Sequence, residues 1–425
     1  MIAWSSTQAR PFPWLQVFRR PAVPASAPLQ GWRDAATQAA LAALGLVLPY
    51  SPAGVSMLLG VLLLIALCSA GTLRRTDAWR EPAAIIGLLL FAYIALHTLL
   101  EGPWTLAGVS AVNKYHELLL FPVLLALIGS TTRPQAFLWG LAAGSLGYAI
   151  AHWLSPWLPL LELELAPKRI SAGFCLAVSA YLLLHEKGRW VWWWRGVAAL
   201  LAFTALARID GRTGHVVLLL LAVWTVWRQS PRNWRLPAAG VVGVIVVLVA
   251  LASPPVNKRL KETWADIASM RLDTGTSTSI RLALLTNGWT VAAAHQPLGV
   301  GYGRYVEFHE PVARQRLSRE PGWKPDHNGA WEVLSNNPHN EYLMQLACGG
   351  LPALVLFLGW LAAPALRRDP DGRAPPALVG VVIAFGFACL FNSLLLDFVE
   401  GHYYMAVLAF LLARERRASF PPPPA

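Results

Sequence analysis

The sequence predicts an all-α polytopic membrane protein of about 12 transmembrane helices with one long periplasmic loop. Three observations predict it. Hydrophobic residues make up 56% of the 425-residue chain and charged residues 14%, too apolar a balance for a soluble domain of this length. Apolar runs near the ~20 residues that cross a ~30 Å hydrocarbon core recur along almost the whole chain. Lysine and arginine alternate between rich and poor loops, as they do in oriented membrane helices.

Residues 1–34 hold prolines and arginines without an apolar core or a cleavage site, so they read as a cytoplasmic segment and not as a removable signal. Nine spans follow within 35–253, at about 35–50, 53–71, 83–100, 116–130, 135–154, 170–185, 196–207, 214–228 and 237–253. Residues 254–340 form the long loop. Spans at about 341–366, 376–396 and 402–413 close the bundle within 341–413, and 414–425 is a cytoplasmic tail. With the N-terminus inside, the inward loops hold twenty basic residues, Arg80, Arg367 and Arg416 among them. The short outward loops hold five: Lys114, Lys168, Arg169, Arg208 and Arg212. This bias places both termini in the cytoplasm and the long loop outside. The net charge of +12 is thereby mostly an orientation signal, and no nucleic-acid partner is implied.

Cys68, Cys175, Cys348 and Cys389 all fall inside predicted spans, so the sequence implies neither a disulfide framework nor a CxxC metal site. The tryptophans of Trp190 to Trp194 (WVWWW) suit a belt at the headgroup level. In the long loop, Asn257 to Leu272 alternates charged and apolar residues at helical spacing, as an amphipathic surface helix does. A more apolar helix is expected over Arg281 to Ala294, broken by PLGVGYG at 297–303. VGYG also occurs in potassium-channel filters. Here Arg304 follows at once and no pore-helix pair surrounds it, so a tight turn that uses glycine's access to positive φ explains it better.

Outward arginines oppose the charge bias of the chain and draw attention to RIDGRTG, 208–214. Arg208 can pair with Asp210. Arg212 immediately precedes the next span, beside the free N–H groups and positive dipole end of that helix, where a cation needs an anion to offset it. Phosphate oxygens suit both helix starts and arginine forks. Arg281, opening a helix after TGTSTS, and Lys114, in NKYHE before the fourth span, would complete a diphosphate grip at the outer interface. No Walker or dinucleotide fingerprint is present, so a lipid-linked diphosphate is a better ligand than a nucleotide.

In SNNPHNEYL, 335–343, Asn337 suits an N-cap and Pro338 the first helical position, which puts His339 in the first turn of the tenth span. The dipole disfavours imidazolium there, and a neutral ring can act as a general base. A histidine that only caps the helix or bonds a headgroup is the alternative. Asp397, in LLLDFVEGHYY, could orient His339 or counter an arginine, or simply flank a span; Glu400 and His402 are weaker candidates. No acidic DxD-like pair stands in a short outer loop, so no metal site is expected.

Taken in order, GRTG at 211–214, the Arg281 helix followed by PLGVGYG, and PHNEYL at 338–343 resemble the O-antigen ligase and polymerase superfamily of bacterial envelope glycosyltransferases. The resemblance covers most of the chain from about residue 35, with its core over about 205 to 405. It implies a GT-C-like architecture in the bacterial inner membrane and a metal-independent transferase without cofactor. The donor would be O antigen on undecaprenyl diphosphate and the acceptor a sugar hydroxyl of lipid A–core. Arg212, Arg281 and Lys114 would hold the diphosphate, and His339 would orient or deprotonate the acceptor. Asp397, Arg208, Arg304, Asn340 and Tyr342 would support them. A polymerase that lengthens the glycan on its carrier is the second expectation. A protein O-oligosaccharyltransferase is less expected, because no soluble domain follows the last span. A glycolipid flippase or exporter is the alternative of a different class, but it should carry polar residues deep in several spans, and spans two, four, eight and nine are almost purely aliphatic.

Overall fold

The computed structural model describes residues 31–74, 76–101, 106–165, 169–252, 277–319, 335–368 and 374–419, together with 257, 261, 264, 265 and 372. Among the described residues the chain is helical, with no strand. We number the main helices α1 (Gly31–Val47), α2 (Pro52–Cys68), α3 (Pro82–Leu100), α4 (Leu106–Asn113), α5 (Glu117–Ser130), α6 (Gln135–Leu154), α7 (Arg169–Leu184) and α8 (Val191–Arg208). Then follow α9 (Arg212–Gln229), α10 (Arg235–Ala252), α11 (Ser277–Ala294), α12 (Tyr305–Leu317), α13 (Glu341–Ala365), α14 (Pro376–Ala388) and α15 (Phe398–Ser419).

A helix stands at each of the twelve expected segments. By length and composition, three stretches among the described residues are long and apolar enough to cross a membrane: Pro82–Leu100, Leu106–Ser130 and Glu341–Ala365. Pro52–Cys68, Arg169–Leu184 and Pro376–Ala388 are shorter apolar helices. The helix starts follow local chemistry. Ser51 caps α2 by accepting from the Gly54 N–H at 3.2 Å, and Pro52, Pro82 and Pro376 stand where a missing N–H costs nothing.

Two helices form the middle of the bundle. α7 is buried without interruption from Ala172 to Leu183, and α15 from Gly401 to Ala413. A helix apolar all round belongs in such a position. Its few polar groups find each other: Tyr403 and Ser179 hydroxyls lie 2.6 Å apart, and Ser179 and Ser145 2.8 Å. α10, with Val241, Val244, Ile245 and Leu248 exposed, faces outward, as a lipid-facing helix does.

One end of the bundle is tied by arginines. Glu81, 4% exposed, accepts from Arg367 at 2.7 Å and from Arg416 at 2.6 Å, joining the start of α3 to the ends of α13 and α15. Glu186 receives Arg414 at the same end. The opposite end of these helices carries the candidate site.

Two expectations change. The span drawn at 376–396 stops at Ala388, and 389–397 runs as irregular turns. Its freed carbonyls have partners: the Glu341 N–H donates to Cys389 O at 2.8 Å and Asn340 Nδ2 to Leu390 O at 3.0 Å. Non-helical backbone at membrane depth is stable only when satisfied in this way. The second change concerns PLGVGYG, which does more than turn. α13 is broken at Gly350 (φ 65°, ψ −162°), and the glycine segment docks into the break. Val300 N–H donates to Ala347 O at 2.9 Å, Gly301 N–H to Cys348 O at 2.8 Å, and Leu351 N–H to Pro297 O at 2.9 Å. Gly299 and Gly301 take positive φ of 79° and 85°, as the turn expectation required. The expected amphipathic helix at Asn257 to Leu272 lies almost wholly outside the described residues.

Candidate active site

The site is assembled where helix starts converge. α7 and α9 cross with their backbones in contact, because a β-carbon on Gly214 would stand 2.5 Å from the Gly173 Cα, and one on Gly211 2.5 Å from the Arg169 carbonyl oxygen. Small residues allow that approach between membrane helices. The glycines of GRTG therefore bring Arg169, at the start of α7, beside Arg212, at the start of α9. An open cleft lies there, lined by Arg169, Ile170, Asp210, Gly211, Arg212, Thr213 and Arg281.

Arg281 comes from α11, which starts at Ser277, so Arg281 stands a turn inside the helix and not at its opening as the sequence suggested. Its pKa is lowered by burial and then by the charges of Arg212 and Arg169, and Asp397 works in the opposite direction. Three guanidinium groups sharing one cleft with a single lining carboxylate, Asp210, make a place for an anion. The start of α9 has no side-chain cap, and its first residues, Gly211 to Thr213, line the same cleft.

His339 faces Arg281, but not from inside a helix. α13 starts at Glu341, and its N-cap is Asn340, whose Oδ1 accepts from the Leu343 N–H at 2.8 Å. Asn337, expected as the cap, instead accepts from the His339 N–H at 2.9 Å in a local Asx turn, with Pro338 inside it. His339 itself is held at φ 51°, in the left-handed region. Packing of Pro338 against Gly288 of α11 keeps the turn beside the Arg281 helix. Burial, and then the Arg281 charge, push the His339 pKa down to about 4, so the ring is neutral at pH 7. The neutrality expected from the sequence is found, although its cause is burial and an arginine.

Asp397 ends the irregular 389–397 segment. Burial raises its pKa to about 6, while the charges of Lys114 and Arg281 hold it down. Its charged neighbours are thus Lys114 and Arg281. The segment is pinned by buried Glu341, which accepts from the Leu395 N–H at 3.0 Å and from Gln345 Nε2 at 2.7 Å. Asn392 reaches across to Thr213 Oγ1 at 3.2 Å, fixing the segment to α9.

Three supporting candidates are engaged elsewhere. Arg208 donates to His152 O through Nε and Nη2, at 3.3 and 3.2 Å, and lies over Trp153. Arg304 forms a fork with Glu307 at 3.0 and 3.1 Å and donates to Glu101 O at 3.2 Å, tying the PLGVGYG turn to the end of α3. Tyr342 donates to Gly386 O at 2.7 Å, which joins α13 to α14. Arg169, Glu341 and Asn392 are the residues sequence reasoning did not select. For Arg169 a signal existed, since it is one of the few basic residues at an outward span end.

A bundle of apolar helices with an arginine cleft and a buried histidine at one end defines an integral membrane protein. Residues 197–358, less than half of the chain, match the family model described as O-antigen ligase, which supports the resemblance to the O-antigen ligase and polymerase superfamily. The matched stretch contains Arg212, Arg281 and His339, while Lys114, Arg169 and Asp397 lie outside it. No curated protein matches the chain.

Proposed function

We propose that the protein transfers O antigen from undecaprenyl diphosphate to a sugar hydroxyl of lipid A–core, at the periplasmic face of the bacterial inner membrane. The arginine cleft next to neutral His339 is the observation that carries this reading. The diphosphate would sit among Arg169, Arg212 and Arg281, with Lys114 and Asp397 at its margin. His339 would take the acceptor hydroxyl proton as the acceptor oxygen bonds to the donor sugar's anomeric carbon. The bond from that carbon to the diphosphate oxygen breaks, and its electron pair leaves with undecaprenyl diphosphate. Fixed arginines stabilise that developing charge without reorganisation, so the step needs no metal on the diphosphate.

A pKa near 4 is low for a base at neutral pH. Arg281 is one of its causes, and a diphosphate between the arginines would screen Arg281 and raise the His339 pKa toward 7. The base would then be strongest when the donor is bound. In this reading 1–34 and 414–425 are cytoplasmic, 35–253 and 341–413 carry the spans, and 254–340 is periplasmic.

Purified protein supplied with lipid-linked O antigen and lipid A–core tests the proposal. Polymer appearing on lipid A–core is the expected product. Longer glycan on the lipid carrier, with lipid A–core unchanged, would instead make it a polymerase.

A further inference from the structure

A second cluster, outside the arginine cleft, joins the starts of α5 and α15. His116, Glu117 and His402 each offer one ligand atom, all within 4.8 Å of one another. His116 Nδ1 lies 2.6 Å from Asn113 O, and His402 Nδ1 lies 2.8 Å from Phe398 O. A carbonyl only accepts, so in both rings Nδ1 carries the proton and Nε2 a lone pair. Those two Nε2 atoms face each other at 3.1 Å. Between neutral rings, two lone pairs at this separation repel. Glu117 is 1% exposed, and neither of its carboxylate oxygens has a hydrogen-bond partner among the described residues. Gly401 makes room for it, since a β-carbon there would stand 3.2 Å from Glu117 Oε1.

We propose that His116 Nε2, His402 Nε2 and a Glu117 carboxylate oxygen bind one divalent transition-metal ion of the zinc class. Zinc–nitrogen bonds of about 2.0–2.1 Å at a tetrahedral angle place two ligand nitrogens about 3.3 Å apart, close to the separation found. Backbone carbonyls that hold each Nδ1–H are the outer partners that orient metal-binding imidazoles. Two imidazoles and one carboxylate select zinc-like ions over magnesium or calcium, which take oxygen ligands. A proton shared by the two rings would satisfy the nitrogens and leave the Glu117 oxygens unpartnered. A metal ion satisfies all three. Two helix starts oppose a cation here, but three buried acids, Glu117, Glu341 and Glu400, lie at this end without an ion pair among the described residues. The ion clamps α5 to α15 and so fixes Lys114 and Asp397, which flank its ligands in sequence. Sequence reading looked for an acidic DxD-like pair and expected no metal, and it could not join two histidines 286 residues apart.

The test of this site uses neither donor nor acceptor, so it does not depend on the transfer reading. Full-length protein, freed of any tag and stripped with a chelator, is titrated with Zn²⁺ and with Co²⁺. One ion per chain is expected, with the visible absorption of a low-coordinate Co²⁺ site, unaffected by excess Mg²⁺. His116→Gln and His402→Gln should each weaken binding by more than the ~10–100-fold typical of losing an outer-shell partner. His339→Ala should bind as wild type does. Wild-type protein that takes up no ion overturns the proposal whether or not the variants fold. So does equal uptake by wild type and a folded His116→Gln/His402→Gln double variant.

Discussion

Acidification should weaken the fold through His339, and the sign distinguishes two arrangements of the site. The ring has a pKa of about 4 in the folded protein against 6.5 for an ordinary histidine. Above pH 6.5 both folded and unfolded chains hold it neutral, and it contributes no pH dependence. Between 6.5 and 4 the unfolded chain binds a proton that the folded chain does not, so stability falls as pH falls. At about 1.36 kcal/mol per pH unit the full effect is at most about 3 kcal/mol, complete near pH 4. Wild type and His339→Gln would be unfolded in mixed detergent at steps from pH 7.5 to 4, so that other titrating groups cancel in the difference. The gap between them should shift against wild type by about 2–3 kcal/mol over that range. Had Asp397 formed an ion pair with His339, the ring's pKa would be raised and the gap would move the other way. A gap that is flat, or that favours wild type on acidification, refutes the reading of a buried neutral histidine facing Arg281.

His339→Gln should also lose about 100-fold or more in turnover while donor binding persists; retention of more than about a tenth of the turnover would leave the histidine only a positioning role. Arg212→Lys and Arg281→Lys should insert normally yet transfer at least ~10-fold more slowly in the same assay, because an ammonium cannot replace a planar fork on a diphosphate. Wild-type rates in both would remove the diphosphate from the cleft. Gly350→Ala should lower thermal stability by more than the ~1–3 kcal/mol of its backbone strain alone, since the new methyl also meets the Pro297 carbonyl; an unchanged melting temperature would contradict the docked break in α13. In a Cys68→Ala background, Ser318→Cys should react with a membrane-impermeant thiol reagent from the periplasmic side and Asn233→Cys should not. The reverse labelling would invert the topology.

Most helices were legible because a bilayer demands long apolar runs, and those runs dominate the sequence. The exception is instructive. CLFNSLLL, 389–396, reads as the end of a span, and only Asn392 and Ser393 hint that its backbone bonds go elsewhere. His339 was legible as a residue but not as a conformation. Asn337 and Asn340 are both good caps by type, and the competition is decided by the Leu343 N–H and by Glu341, whose burial no local pattern announces. Arg169 was visible as a misplaced charge. Its membership of the cleft depends on Gly173 meeting Gly214, a contact between distant segments that a single sequence does not display.

The break in α13 divides that helix into two mechanical parts. Its longer part, 351–365, is anchored through Arg367 to Glu81 at the far end of the bundle. Its shorter part, 341–349, is fastened to the end of α11 by the Val300 and Gly301 amides and by Gln296 Nε2 on Leu346 O. The Leu351 N–H on Pro297 O bonds the same glycine segment to the longer part as well, so the turn that follows the Arg281 helix splints α13 across Gly350. Anything that displaces this one segment loosens both parts of α13 at once.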